Sequence, residues 1–207
     1  MKKLSEDNCY KLPLNRFIQS TRYVDRMKKY QIIYADPPWG SNTQFGRDKK
    51  KGNEQHYPLM TTDDIKELYV SNVSDKDCVL FIWVVDAQLQ DALDTIKSWG
   101  FTYKTVAFTW SKETKHGKDH FGVGMWTRKN PEMCLLATKG KPKRVNAGVR
   151  QLQRHKIREH SRKPDEIRDE IVRLCGDLPR LEIFCRHPDK GWDVWGNEVK
   201  SDIDLER

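Results

Sequence analysis

Apolar and polar positions along this chain change period several times, and each change marks an element. Tyr30 to Ala35 is a short continuous apolar run of the kind that a strand covered on both faces requires, and Pro37 cannot donate to a ladder, so the strand must stop at Asp36. Thr61 or Thr62 followed by Asp63 and Asp64 is a helix start that leads to Ile65, Leu68 and Tyr69 on one face. Cys78 to Val85 is a strongly apolar strand. Leu89, Ala92, Leu93, Ile96 and Trp99 then recur at three- and four-residue spacing, which predicts a helix with these as core positions and Gly100 as its stop. Phe101 to Trp110 alternates as a strand, and Glu132 to Thr138 forms another. Pro164 suits the first turn of a helix with Ile167, Ile171 and Leu174 inward and Gly176 at its end. Leu181 to Cys185 is a short buried strand, and Gly191 to Glu198 a strand and turn. The tail from Lys200 to Arg207 is too polar to pack, and residues 1–29 form a poorly defined lead-in. Strands alternating with helices predict an α/β fold with a mainly parallel, doubly wound sheet.

The chain has 207 residues, enough for one α/β domain with a full core and short for two. With 38 Lys and Arg against 30 Asp and Glu, its net charge of +8 favours a polyanionic partner. The cations gather in three stretches: 40–57 around Lys49, Lys50 and Lys51; 111–129; and 139–162. In the last, Lys141, Lys143, Arg144, Arg150, Arg154, Lys156 and Arg158 recur with almost no acid among them, as a phosphate-tracking segment would; a solvated loop is the other reading. The stretch 40–57 directly follows Asp36 to Trp39, which suits a lid over a substrate. Cys9, Cys78, Cys134, Cys175 and Cys185 are scattered without a C-x-x-C pair, which predicts reduced core thiols and no metal site. The start lacks the apolar core of a signal peptide, and no run approaches the ~18 residues of a membrane span. A cytoplasmic protein without a membrane partner is expected.

The chemistry concentrates at Asp36-Pro37-Pro38-Trp39. Two prolines fix the backbone and remove two N–H groups, leaving a corner that offers carbonyl oxygens and no donors. Beside the Asp36 carboxylate, such a corner suits a neutral donor with two hydrogens, such as the exocyclic amine of a nucleobase, and Trp39 offers a face for the base. Holding that amine between two acceptors draws its nitrogen toward a tetrahedral, more nucleophilic shape.

Seven stretches, in order, carry a resemblance: Asp36 to Trp39, His56-Tyr57-Pro58-Leu59-Met60, Leu80 to Val84, Trp99-Gly100-Phe101, His160 to Ile167, Leu181 to Arg186, and Gly191-Trp192 with Trp195-Gly196-Asn197-Glu198. Together they resemble the adenine-N6 methyltransferases typified by the catalytic subunit of the messenger-RNA adenosine methyltransferase, often called MT-A seventy-like, whose prokaryotic and phage members act mainly on DNA. The resemblance covers nearly all of the chain after about residue 30. It implies a single Rossmann-like methyltransferase domain over 1–207 in permuted order, with the catalytic strand early and the S-adenosylmethionine loop late, in a bacterial cell or a phage-infected host. It implies further that Asp36, Pro37, Pro38 and Trp39 are catalytic, and that Asp36, Lys163, Phe184, Arg186, His187, Asn197 and Glu198 meet the cofactor. Trp39, Tyr57 and the basic stretches would then meet nucleic acid, DNA before RNA. Glu182 and Arg186 are expected to form an ion pair on one strand face. A homodimer or a second subunit is left open, as are an RNA substrate and a non-catalytic, nucleic-acid-binding partner. Asx-Pro-Pro-aromatic corners also serve cytosine-N4 and protein-glutamine methyltransferases.

Overall fold

The computed structural model describes residues 28–40, 60–124, 126–159 and 162–206. Its first element is β1 (Tyr30–Ala35), which ends where the prolines forbid a further ladder bond. Helix α1 (Thr62–Glu67) starts from a capping box in which the Thr61 hydroxyl accepts from Asp64 N and the Asp64 carboxylate accepts from Thr61 N. A single turn, α2 (Val70–Val73), leads into β2 (Ser74–Val84), which begins four residues earlier than the apolar run beginning at Cys78 suggests. The first of those added residues are polar and lie at the rim of the sheet. Helix α3 (Leu89–Ser98) buries Ala92, Thr95 and Ile96, but Leu89, expected in the core, is 39% exposed in its first turn. Gly100 closes that helix at φ 81, a left-handed conformation that glycine adopts without strain.

The chain continues through β3 (Thr102–Glu113), β4 (Glu132–Lys139), β5 (Leu152–Lys156), α4 (Glu166–Cys175), β6 (Arg180–Ile183) and β7 (Asp193–Trp195). These strands form one seven-stranded sheet in the order β5-β3-β4-β2-β1-β6-β7. Among them β4 alone runs antiparallel to its neighbours, β2 and β3. The sheet is doubly wound: Ile33, Leu80 and Ile82 face α1 and α3, while Ile32, Tyr34, Phe81 and Trp83 face α4. This is an α/β fold with a mostly parallel, doubly wound sheet, as the alternation of strands and helices predicts.

Two expectations fail here. The stretch 139–162 is not all loop, because Leu-Gln-Arg-His-Lys forms the edge strand β5, paired on one side only and therefore free to be polar. The tail packs: Leu205 is fully buried, Tyr69 N donates to Leu205 O at 3.0 Å, and Asp202 N donates to Val194 O at 2.8 Å. Two apolar side chains, Ile203 and Leu205, suffice to seal the edge of the core. The expected thiols are present as free, buried Cys78, Cys134, Cys175 and Cys185, whereas Cys9 lies outside the described residues.

A buried ion pair joins α4 to β6. Arg168 donates from Nε to Glu182 Oε2 at 2.7 Å and from Nη2 to Glu182 Oε1 at 2.8 Å, and its Nη2 also reaches the His187 carbonyl at 3.0 Å. This replaces the expected Glu182–Arg186 pair. β6 ends at Ile183, so Arg186 lies in the loop beyond the strand face that Glu182 occupies. Removing one partner strands a charge in the core, so Arg168→Met should cost about 3–5 kcal/mol in urea unfolding, with much of that recovered in Arg168→Met/Glu182→Leu. A loss below about 1 kcal/mol in the single variant would contradict a buried, mutually dependent pair.

Candidate active site

All the parallel strands direct their carboxyl ends to one edge of the sheet. The chain leaves β1 toward β2 on one side and β6 toward β7 on the other, and an open α/β sheet forms its crevice where such a reversal occurs. A cavity of about 300 Å³ lies there. Its wall takes Asp36, Pro37, Pro38 and Trp39 from the exit of β1, Trp83 to Val85 from the end of β2, and Phe184 to Arg186 from the exit of β6. Asn197 and Glu198 come from the turn after β7, and Glu132 from the start of β4. Because β4 is reversed, its first residue meets the last residues of its neighbours, which is how Glu132 reaches the site.

Lys163 lines the cavity beside the corner and donates to both carboxylate oxygens of Asp36, each at 2.8 Å. The segment that carries Lys163 is fixed by Pro164 and by Asp165, on whose carboxylate Arg158, Arg162 and Arg168 converge. Burial pushes the Asp36 carboxyl above its usual range, against the pull of Lys163. Lys163 Nζ is also 3.5 Å from Glu132 and 5.5 Å from the centre of the Trp83 ring. Glu132 in turn binds Lys112 at 2.5 Å. Burial raises the Glu132 carboxyl, but Lys163 and Lys112 together outweigh it and bring the group down to about 2. The result is a chain of alternating charges, Asp36, Lys163, Glu132 and Lys112, along one wall. Glu132 escapes sequence reasoning, since an acid opening a strand carries no pattern of its own.

The prolyl corner is donor-free, as expected, yet its acceptors are partly used. Pro37 O accepts from Trp39 N at 2.8 Å and Pro38 O from Met60 N at 3.1 Å, which leaves one lone pair on each. Trp39 is only 7% exposed, and its indole N–H donates to Trp83 O at 3.0 Å, so the ring is a fixed wall and not an open platform. Phe184 sits at φ 62, unusual for a side chain with a Cβ, and meets Trp195 edge-on at 5.5 Å. Cys185 N bonds Trp195 O at 3.0 Å, and a Cβ on Gly196 would lie 2.3 Å from Cys185 O, so glycine there permits this close approach of the β6 and β7 exits. His187 is exposed and borders a smaller adjoining hollow of about 30 Å³ with Asp36, Lys163 and Arg186.

Among the described residues, those of the run Lys141 to Arg154 are not gathered at the cavity. Lys141 N bonds Asp77, five residues down β2 from the level of Ala35 and Ile82, so Lys141, Lys143 and Arg144 lie near the far pole of the sheet, roughly 16 Å below Asp36. Arg154 lies at the site's end of the sheet but on β5, four strand spacings or roughly 19 Å to the side of β1, where it pairs with Asp119 at 3.6 Å. Arg150 just precedes that strand and is exposed. Lys49, Lys50, Lys51 and Tyr57 lie outside the described residues. Among the described residues no cluster of His, Cys, Asp or Glu could hold a metal, and no helix is long and apolar enough to cross a membrane.

A family model described as MT-A70 matches residues 30–198. The chain is 34% identical to the type II methyltransferase M.MunI of a Mycoplasma over 189 residues, 83% of this chain and 78% of that protein. It is 26% identical to the N(6)-adenosine-methyltransferase MT-A70-like protein of Drosophila melanogaster over 96% of this chain and 32% of the relative. With the human N(6)-adenosine-methyltransferase catalytic subunit METTL3 it shares 27% identity over 86% of this chain and 30% of the relative. The chain thus spans most of the first relative and about a third of the other two.

Glu132 gives the charged wall a measurable signature. Its folded pKa of about 2 lies below the ordinary 4.5, so its stabilisation is complete above that value and is lost as pH falls toward 2. Glu132→Gln should therefore lower stability at neutral pH by on the order of 3 kcal/mol and reduce the stability slope between about pH 4.5 and 2, where Asp165 and Asp193, also held below the usual carboxylate range, keep the remainder. Urea unfolding followed across that window checks it; a variant that keeps the wild-type slope would contradict the pairing.

Proposed function

The chain belongs to the MT-A70 family of methyltransferases, and from that premise we propose that it transfers a methyl group from S-adenosylmethionine to the exocyclic N6 of adenine in DNA, at the cavity beside Asp36. The observation that carries this reading is the half-buried Asp36 carboxylate at the carboxyl end of β1, next to a corner without donors and bound to the half-buried Lys163 ammonium. The match to a type II methyltransferase over most of both chains favours DNA. The names of the adenosine methyltransferases favour the N6 nitrogen, and they also keep RNA as a second reading.

The residues present fit the cofactor. Lys163 and the start of α4 suit its carboxylate, Asp36 its ammonium, Phe184 its apolar parts, and Asn197 and Glu198 its ribose hydroxyls. When bound, the cofactor supplies a methyl group activated by a sulfonium. Lys163 would then face two anions, the Asp36 carboxylate and that of the cofactor, and Glu132, 3.5 Å away, would keep it at the site as it exchanged one for the other. Asp36, released from that bidentate contact, accepts from the target amine. The free lone pairs at Pro37 and Pro38 accept the remaining hydrogen, which holds the nitrogen with its own lone pair directed outward. Trp39, locked to Trp83, walls the base and excludes water; rate then comes mainly from positioning. An adenine inside a duplex cannot reach Asp36, so the base leaves the stack.

Asp36→Ala and Asp36→Asn should remain folded, since Asp36 lies beyond the strand, and should lose methylation almost completely while keeping nucleic-acid affinity. Nucleoside mass spectrometry after incubation with matched DNA and RNA reads the product. N6-methyladenine in DNA made by the wild type and not by the variants is the expected result, and a wild-type rate in Asp36→Ala would overturn the assignment. Because only the ionised carboxylate accepts from the amine without also donating, activity should also fall as pH drops through the raised Asp36 pKa. Lys163→Met removes the group that opposes this rise and should move the acid limb to higher pH.

A further inference from the structure

The segment between β3 and β4 is a built projection. Asn130 pins its base: its side-chain amide donates to Lys112 O at 3.0 Å and to His120 O at 2.5 Å, and its Oδ1 accepts from Lys112 N at 3.1 Å. Higher up, Gly122 N donates to Lys129 O at 2.6 Å. Phe121 just before that closure, and Val123 and Trp126 within it, turn apolar side chains to solvent: Phe121 is 60% exposed, Val123 81% and Trp126 98%. An indole so exposed contributes nothing to the core. Around the projection Lys115, Lys118 and Arg128 are exposed, whereas Asp119, an acid among them, is paired with Arg154 at 3.6 Å.

The projection stands at the mouth of the cavity. Its returning limb ends at Glu132 in the cavity wall, and Lys129 pairs at 3.4 Å with Asp86, the neighbour of the wall residue Val85. Trp126 is three residues from Lys129 and so within roughly 11 Å of it. Apolar faces over a cationic base complement a polymer of stacked bases on a phosphate backbone, and a planar ring beside a base-extruding site has an obvious vacancy to fill.

We propose that the described parts of this projection, 114–124 and 126–131, form a stacking wedge. Trp126, with Phe121 and Val123 beside it, occupies the gap that the target adenine leaves in the duplex, and Lys115, Lys118 and Arg128 hold the flanking phosphates. This rests on the adenine-methylation reading above and adds how the base is kept out of the stack. The wedge stabilises only the extruded state of a paired duplex. It therefore matters most where extrusion is opposed by pairing, and least where the target adenine faces an abasic site.

The test compares wild type, Trp126→Ala and Trp126→Phe on two duplexes that differ only in whether the target adenine faces thymine or an abasic site. Trp126→Ala should lose roughly 5- to 150-fold in kcat/KM on the paired duplex, the range for one lost stacking contact, and far less on the abasic one. Trp126→Phe should recover most of the loss. Equal losses on both duplexes, or none on either, would overturn the wedge, as would a smaller oligomer in Trp126→Ala by light scattering, which would assign the apolar tip to a protein partner. If the wild type methylates neither duplex, the methylation reading itself fails and the wedge falls with it; wild-type activity without a Trp126 effect removes the wedge alone.

Discussion

The contact on which the rest of the site depends is the pairing of Lys163 with Asp36. Each side chain is largely withdrawn from water, at 14% and 27% exposure, and an unpaired charge in such a place costs several kcal/mol. The carboxyl end of β1 and the approach to α4 are 127 residues apart in sequence, and their meeting gives Asp36 its counter-charge. Their meeting is secured one layer below, where Arg168 ties α4 to Glu182 on β6 and to the His187 carbonyl in the next loop. Sheet order then completes the site: β6 beside β1 brings Phe184 and Arg186, and the reversed β4 brings Glu132.

Much of this was legible in the chain. Pro37 ends β1 for a local reason, Thr61 and Asp64 cap α1 for a local reason, and the spacing of Ala92, Ile96 and Trp99 can satisfy only a helix. What failed depended on tertiary neighbours. β5 reads as a basic loop because an edge strand needs no apolar face, and the tail reads as unpacked because two side chains carry its burial. The Glu182–Arg186 pairing was drawn between near neighbours, whereas the actual partner, Arg168, lies on a helix that packs across the sheet. For the site, the corner at Asp36 follows from residue chemistry, the role of Lys163 came through family resemblance, and Glu132 had no sequence signal.

The distribution of charge also changes meaning once folded. A run such as Lys141, Lys143 and Arg144 to Arg154 looks continuous in sequence, yet the reversal at β4 and the return through β5 divide it between the two poles of the sheet. At the cavity, the lysines are committed, Lys163 to Asp36 and Glu132 and Lys112 to Glu132, and Arg186 in the wall offsets Glu198. The wall is thus close to neutral, with its charges held in an order that a zwitterionic ligand can replace partner for partner.

That replacement is the central claim, and a ligand cycle tests it. Calorimetry would compare S-adenosylmethionine with its decarboxylated analogue on wild type and Lys163→Met. If Lys163 moves from Asp36 to the ligand's carboxylate, the wild type should prefer the intact ligand by about 1.5–3 kcal/mol, the worth of a charge-assisted hydrogen bond, and Lys163→Met should bind the two almost equally. The same preference in both proteins would contradict the account, because the carboxylate would then be held elsewhere and the Lys163–Asp36 pair would be a fixed structural contact.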